Sequence, residues 1–182
     1  MIEYRIRPLR PEAHLFEVTL TVAKPTPEGQ AFTLPAWIPG SYDPVTRTLF
    51  HGTLQAKPWA RAVRGTDGDA LYTNSTLALD PDTGEMKWYY QQVPGDNWDY
   101  SAAMDMVLAD MEVDGAMRKV LLQAPKDGFF YVLDRTDGAL LRAHPYGAIT
   151  WATHVDMATG RPVENPEFAY EEEPKWVLPG PG

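Results

Sequence analysis

The chain has 182 residues, enough for one or two small domains with a real core; 44% of them are hydrophobic and 12% aromatic, a globular rather than a disordered composition. A formal charge of −9 supplies nothing to neutralise phosphates, which argues against nucleic acid as a partner. The absence of cysteine excludes disulfides, thiolate metal sites, cysteine nucleophiles and covalent c-type haem, and says nothing of compartment.

In chain order, residues 1–7 have no apolar signal core, and no later segment approaches membrane-spanning length. As written, the chain is expected to stay in the cytoplasm with no membrane partner. Residues 14–22 alternate strictly, with Phe16, Val18, Leu20 and Val22 on one face, which predicts a half-buried strand. A turn at 24–29, a return strand at 30–34 and a rigid apolar loop at 35–40 follow. Further strands are expected at about 47–53, 71–79, 86–92, 106–113, 117–124, 128–134 and 147–152. Between them lie linkers at 58–68, 94–97, 113–115, 125–128 and 161–166. Helical periodicity is weak, with at most one turn at 101–106. Glu171, Glu172 and Glu173 read as a solvated acidic patch. The fold class is all-β.

One kind of turn recurs. It can be traced at 43–46, 80–84, 134–138 and 156–160, each opening on an aspartate, the last three closing on glycine. In the run from Ala78 to Trp88, Asp80 and Asp82 can fold their carboxylates onto the turn's own N–H groups. Pro81 pre-sets φ, and Gly84 supplies a positive φ. Repetition of strand, turn and strand points to a sheet array, commonly a β-propeller; unrelated hairpins in an all-β domain would give the same pattern.

From about 42 to 170 the chain resembles the quinoprotein alcohol dehydrogenases, eight-bladed propellers that carry pyrroloquinoline quinone (PQQ) and a metal ion. The resemblance rests on LYTNSTLALDPDTG (71–84), WYYQ (88–91), PGDNWDY (94–100), VLAD (107–110), RKVLLQAPK (118–126), GFFYVLDRT (128–136) and GRPVENP (160–166). It implies a partial β-propeller with quinoprotein-type blades, in which the run ending at Trp88 is a tryptophan-docking motif. Three of eight blades at most are present, so the ring cannot close within one chain. Residues 4–42 instead look like the start of the M61 family of glycyl aminopeptidases, on PEAHLFEVTLTV (11–22) and LPAWIPGSY (34–42). The two resemblances meet at Ser41–Tyr42 and imply a chimera. Its parts would be an M61-like β segment at 1–41 forming a hairpin, a partial propeller at 42–170 and an acidic, Pro/Gly-rich tail at 171–182.

The family resemblance assigns roles to three residues. Asp99, in WDY, matches the general base that takes the alcohol proton and sits beside the metal. Lys126 matches the lysine that hydrogen-bonds the quinone oxygens. Gln55 stands where the family has an asparagine metal ligand, and its extra methylene misplaces the amide oxygen; Ala56 and Lys57 depart from the pattern as well. Ser101 occupies the position where lanthanide-dependent relatives carry a second aspartate, which implies Ca²⁺, a cation suited to hard oxygen ligands. PQQ, Ca²⁺ and a small alcohol substrate are thus implied. Without the family, Asp99 reads as a solvated turn residue and Lys126 as an exposed one.

The peptidase resemblance brings no chemistry of its own. Its zinc site needs two histidines four apart with a glutamate between, and His14, His51, His144 and His154 contain no such pair. The expected function is therefore that of a fragment related to the PQQ-dependent alcohol dehydrogenases, inactive alone. The alternatives are a sheet module that self-associates through open edges and a peptidase-derived accessory domain.

Overall fold

The computed structural model describes residues 2–10 and 15–22 as backbone, and residues 40–170 and 175–180 in full. The chain divides into two compact units, Met1–Pro35 and Ala36–Gly182. In the first, β1 (Ile2–Arg10) pairs antiparallel with β2 (Leu15–Val22), with Ile2 opposite Val22 and Ile6 opposite Val18. The expected strand at 14–22 is present as β2, and the strand it pairs with, β1, precedes it in the chain. Ile2, Tyr4 and Ile6 alternate with Glu3, Arg5 and Arg7, a period-two pattern that marks β1 as a strand. The expected turn at 24–29, return strand at 30–34 and most of the 35–40 loop lie outside the described residues, as do Glu171, Glu172 and Glu173.

The second unit is built from antiparallel meanders. β3 (Gly40–Asp43), β4 (Thr48–Gly52), β5 (Ser75–Leu79) and β6 (Met86–Gln91) form one four-stranded sheet in that order. β7 (Met106–Val113), β8 (Ala116–Gln123), β9 (Phe129–Asp134) and β10 (Leu140–Pro145) form a second, and β11 (Ala152–Asp156) pairs with β12 (Arg161–Glu164) in a third. Two four-stranded meanders and a two-stranded one make a partial β-propeller whose sheets do not close into a ring. The Ser41–Tyr42 junction lies within β3.

The four turns form as the sequence predicts. Asp43, Asp80, Asp134 and Asp156 each accept, on Oδ1, the backbone N–H two residues on, at 2.9–3.0 Å. Gly84, Gly138 and Gly160 close the last three with φ of 76°, 78° and 70°. Asp82 differs from its reading: its carboxylate pairs with Arg47 across the surface rather than with its own turn. No strand spans 147–151. The strand that follows β9 is instead β10, which the sequence hides because Leu-Leu-Arg-Ala-His-Pro does not alternate. As an edge strand bonded only to β9, β10 needs neither a fully buried face nor an N–H at Pro145. The expected strand at 71–79 is shortened to 75–79, since Ala70 and Asn74 adopt positive φ and turn the chain between them. No helix forms at 101–106, within the limit of one turn set by the sequence, and a short helix, α1 (Arg61–Arg64), forms in the 58–68 linker and ends on Gly65 at φ 71°.

The core runs between the sheets. Trp151 packs tilted against Trp98, with ring centroids 4.8 Å apart, and against Tyr100 at 5.5 Å, and meets Phe129 edge-on at 6.1 Å. Its indole N–H donates to the Asp127 carbonyl at 2.7 Å, so the polar end of this large apolar group is satisfied inside. Phe50, Ala78, Leu121, Tyr131 and Leu133, none of them exposed, complete the packing.

Candidate functional site

Three loops leave the ends of strands and meet: 52–58 after β4, 94–105 between β6 and β7, and 125–128 between β8 and β9. Their meeting is fixed by the backbone. Ala102 N–H donates to the Thr53 carbonyl at 3.0 Å, and the Lys126 N–H lies 3.5 Å from the Ser101 carbonyl. Gly52 is the point of closest approach. A Cβ there would lie 2.1 Å from the Ala102 carbonyl oxygen, so only glycine lets the first two loops touch. Behind them a buried amide network ties the two four-stranded sheets together. Gln92 Nε2 donates to Thr76 Oγ1 (2.7 Å) and to Gln123 Oε1 (2.8 Å), and Gln123 Nε2 donates to the Ala102 carbonyl (2.6 Å).

Asp99 sits on the 94–105 loop at φ 67°, a left-handed conformation that costs energy for any residue but glycine and is held here by its neighbours. The N–H groups of Trp98 and Tyr100 both point at Asp96 Oδ1, at 3.0 and 3.4 Å. The Trp98 indole donates to the Phe168 carbonyl, and the Tyr100 hydroxyl to the Pro179 carbonyl. With both flanking rings turned into the core, the Asp99 side chain is left one-third exposed at the loop surface. There it meets Lys57, whose Nζ donates to Asp99 Oδ1 at 3.1 Å. The solvated-turn reading of Asp99 therefore captures its exposure but misses its cationic partner.

The three residues singled out from sequence come to neighbouring loops rather than to one finished pocket. Gln55 lies half-buried in the 52–58 loop, two residues from Lys57. Lys126 lies half-buried in the 125–128 loop, beside Ser101 through the backbone. Two clefts on this unit lie elsewhere: one is lined by Asp69, Tyr89, Tyr90 and Arg161, the other by Arg61, Asp69, Arg161 and Glu164. Neither is lined by Asp99 or Lys126. Their arginines are already matched, Arg161 to Asp69 and Arg61 to Glu164, each in a two-point grip.

A divalent cation does not fit the residues present. Among the described residues no cluster of three histidine or acidic side chains could hold a metal ion. One oxygen of Asp99, Oδ1, already accepts from the Lys57 ammonium.

Two buried carboxyls are missed by the sequence reading. Burial pushes Asp96 up to about 6, against the pull of the Trp98 and Tyr100 N–H groups. Burial likewise pushes Asp127 up to about 7, although the Tyr131 hydroxyl donates to it at 2.6 Å and the Phe129 N–H at 3.0 Å. The signal that could have found them is an aspartate in a tight turn followed at once by aromatic residues, Asn-Trp after Asp96 and Gly-Phe-Phe after Asp127. Such a turn buries the carboxylate with the rings.

Comparison with known proteins identifies the architecture. The family model for the glucose/ethanol/alcohol dehydrogenase β-propeller domain matches residues 18–143. The chain belongs to this PQQ-dependent dehydrogenase family. It is 52% identical over 146 residues to quinohemoprotein alcohol dehydrogenase ADH IIB of Pseudomonas putida, a match that covers 80% of this chain and 21% of that protein. It is 50% identical over 125 residues to a 1-butanol dehydrogenase (cytochrome c) of Thauera butanivorans, covering 68% of this chain and 18% of the relative. The crystal structure of quinohemoprotein alcohol dehydrogenase from Comamonas testosteroni superposes with a TM-score of 0.76 at 43% identity, over 79% of this chain and 21% of that one. A europium-containing methanol dehydrogenase superposes with a TM-score of 0.75 at 34% identity, over 79% of this chain and 25% of that one. The chain thus spans about a fifth of the length of the curated relatives it matches, and is a fragment relative to them. The family match begins at residue 18, inside the segment expected to be M61-like, and the comparisons give no support to that expectation or to a chimera. Among the described residues no helix is long and apolar enough to cross a membrane.

Proposed function

We propose that this chain carries the base-bearing loops of a quinoprotein alcohol dehydrogenase without forming a working site by itself. The observation that carries the reading is the backbone junction of the 94–105 and 125–128 loops, which brings the loops of Asp99 and Lys126 together; the motif resemblance matches these two residues to the family's general base and quinone-binding lysine. A general base needs its substrate proton within hydrogen-bond reach. Asp99 has the carboxylate and the fixed backbone for that task, but among the described residues no group of three acidic or histidine side chains is assembled to hold a cation beside it. Groups that act as a unit are not replaced by one surviving member.

The substrate class for the assembled site is a small alcohol, as the names of the relatives indicate. The test is dye-linked ethanol oxidation with added PQQ and Ca²⁺, comparing the chain with Asp99→Asn. The expected result is no PQQ-dependent turnover in either. Turnover that requires PQQ and disappears in Asp99→Asn would show that the site does assemble and would overturn this reading.

A second reading has its own support. The β11–β12 sheet has two strands where the other two sheets of its unit have four, and an isolated two-stranded sheet is marginal in water. Strand addition by another copy at this open edge would make a self-associating module. Size-exclusion chromatography with light scattering decides it: a dimer that dissociates when Val163, in β12, is replaced by proline supports edge pairing, and a monomer at all concentrations refutes it.

A further inference from the structure

We propose that the Lys57 ammonium stands in this chain where a divalent cation would stand beside Asp99, making a metal-free, lysine-neutralised version of the site. The inference rests on the matching of Asp99 and Gln55 to metal-side positions of the family, and goes beyond it by assigning a role to a residue that departs from the family pattern.

Three observations converge on Lys57. The first is contact: Nζ donates to Asp99 Oδ1 at 3.1 Å, so a cation at Asp99 would meet a carboxylate that already faces a positive charge. The second is that the geometry is built in. The 52–58 loop cannot swing aside, because Gly52 is pressed on Ala102, Thr53 N–H bonds the Ser75 carbonyl at 2.8 Å, and Asn74 N–H bonds the Leu54 carbonyl at 3.0 Å. Asp99 is held from the other side by the Trp98 and Tyr100 anchors. The third is the rest of the loop. Ala56 is 4% exposed, so its methyl fills space where the family has a bare glycine, and Gln55 carries its amide one methylene further out than an asparagine would.

The ion pair itself is open to water, with side-chain exposures of 65% for Lys57 and 34% for Asp99, and an exposed pair of this kind adds little stability. Its consequence is electrostatic and local. A divalent ion approaching Asp99 must displace or face an ammonium, and among the described residues no group of three acidic or histidine side chains is present to offset that repulsion. Exclusion therefore comes from two causes, the added cation and the altered ligand set, and each can be removed separately.

The experiment is Tb³⁺ titration followed by luminescence sensitised through nearby tryptophan, with Ca²⁺ competition, on the full chain. Because the chain is acidic overall, the quantity read is the signal that disappears in Asp99→Asn. For the wild type this Asp99-dependent signal is expected to be absent up to about 100 μM Tb³⁺. Lys57→Ala should gain it, and Lys57→Ala combined with Gln55→Asn should bind at least tenfold more tightly than Lys57→Ala. Far-UV spectra of each variant confirm that the fold is kept. An Asp99-dependent site in the wild type overturns the proposal, as does a double variant that binds no more ion than the wild type. Ion binding is read without turnover, so a failure here is distinguishable from a failure of the proposed inactivity.

Discussion

Trp88 lies flat on the α-carbon of Gly138: a Cβ placed on that glycine would fall 2.6 Å from Cε3 of the indole. Trp88 ends the first sheet's turn-and-strand run, and Gly138 closes the corresponding turn of the second sheet. Tyr90, two residues on and on the same face of β6, repeats the relationship one sheet further. Its hydroxyl donates to the Gly160 carbonyl at 2.7 Å, and its ring lies 3.3 Å from where a Gly160 Cβ would be. One strand thus reads the turn glycines of both following sheets, and this is how successive blades are docked without a continuous hydrogen-bonded ladder between them.

Replacing Gly138 with alanine should therefore cost about 2–4 kcal/mol, combining a positive φ that disfavours any Cβ with an overlap against an aromatic ring. Thermal or urea unfolding measures it. The cause can be separated by Trp88→Ala. With the indole gone, the added methyl has room and only the backbone cost remains, so the double variant should be more stable than the sum of the two single losses requires. Strict additivity would show that the indole does not rest on this glycine.

The turns were legible in the sequence because they depend on residues within five positions of each other, whereas the docking role of Trp88, whose partner Gly138 is far along the chain, came only from the family resemblance. Asp43, Asp80, Asp134 and Asp156 find their N–H partners locally, whatever surrounds them. What was not legible depends on distant partners. Asp82 faces Arg47 rather than its own turn because β4 and β6 flank β5 and bring the two side chains together. β10 does not alternate because an edge strand needs no buried face. At the site, motif matching located Asp99, Gln55 and Lys126 and noted that Lys57 departs from the pattern. That Lys57 reaches Asp99 follows only once Gly52 has pressed two loops together, and no spacing rule encodes a contact across 42 residues.

The first and second sheets are also joined by a buried charge. Arg135 donates from Nε to Asp43 Oδ2 at 2.8 Å and from Nη1 to the Ala109 carbonyl at 2.7 Å, with Nη2 3.0 Å from Asp110 Oδ1. Both Arg135 and Asp43 are almost wholly inaccessible. Asp43→Ala removes the buried charged partner and leaves the guanidinium with the Ala109 carbonyl and the half-exposed Asp110, so a loss of about 3–5 kcal/mol is expected. Arg135→Met in the same background should restore part of it by removing the stranded charge. Arg135→Lys should not substitute, since a single ammonium cannot reach three acceptors in different directions. A lysine variant as stable as the wild type in urea would sink this account.

The two buried carboxyls set a pH dependence whose sign is opposite to that of a salt-bridged acid. Asp96 and Asp127 begin near 3.8 in the unfolded chain and are raised to about 6 and about 7 by burial. Between about pH 4 and pH 7 the folded chain therefore holds protons that the unfolded chain has released, and stability falls as pH rises through that window. Below it both states are protonated, and above it both are ionised, so the effect levels off at each end. Asp127→Asn should abolish the Asp127 share. The amide oxygen can still accept from the Phe129 N–H, and the Tyr131 hydroxyl can turn to accept from the amide N–H. Near pH 8 the variant should be more stable than the wild type by on the order of 2–4 kcal/mol, and near pH 4 it should be close to it. Asp127→Leu should be less stable than Asp127→Asn at every pH, because it leaves the Tyr131 hydroxyl and the Phe129 N–H buried without partners. Unfolding curves for the three chains at pH 4, 6 and 8 test the argument; an Asp127→Asn variant that loses stability relative to the wild type as pH rises would mean that Asp127 is held as a carboxylate, and that burial does not govern it.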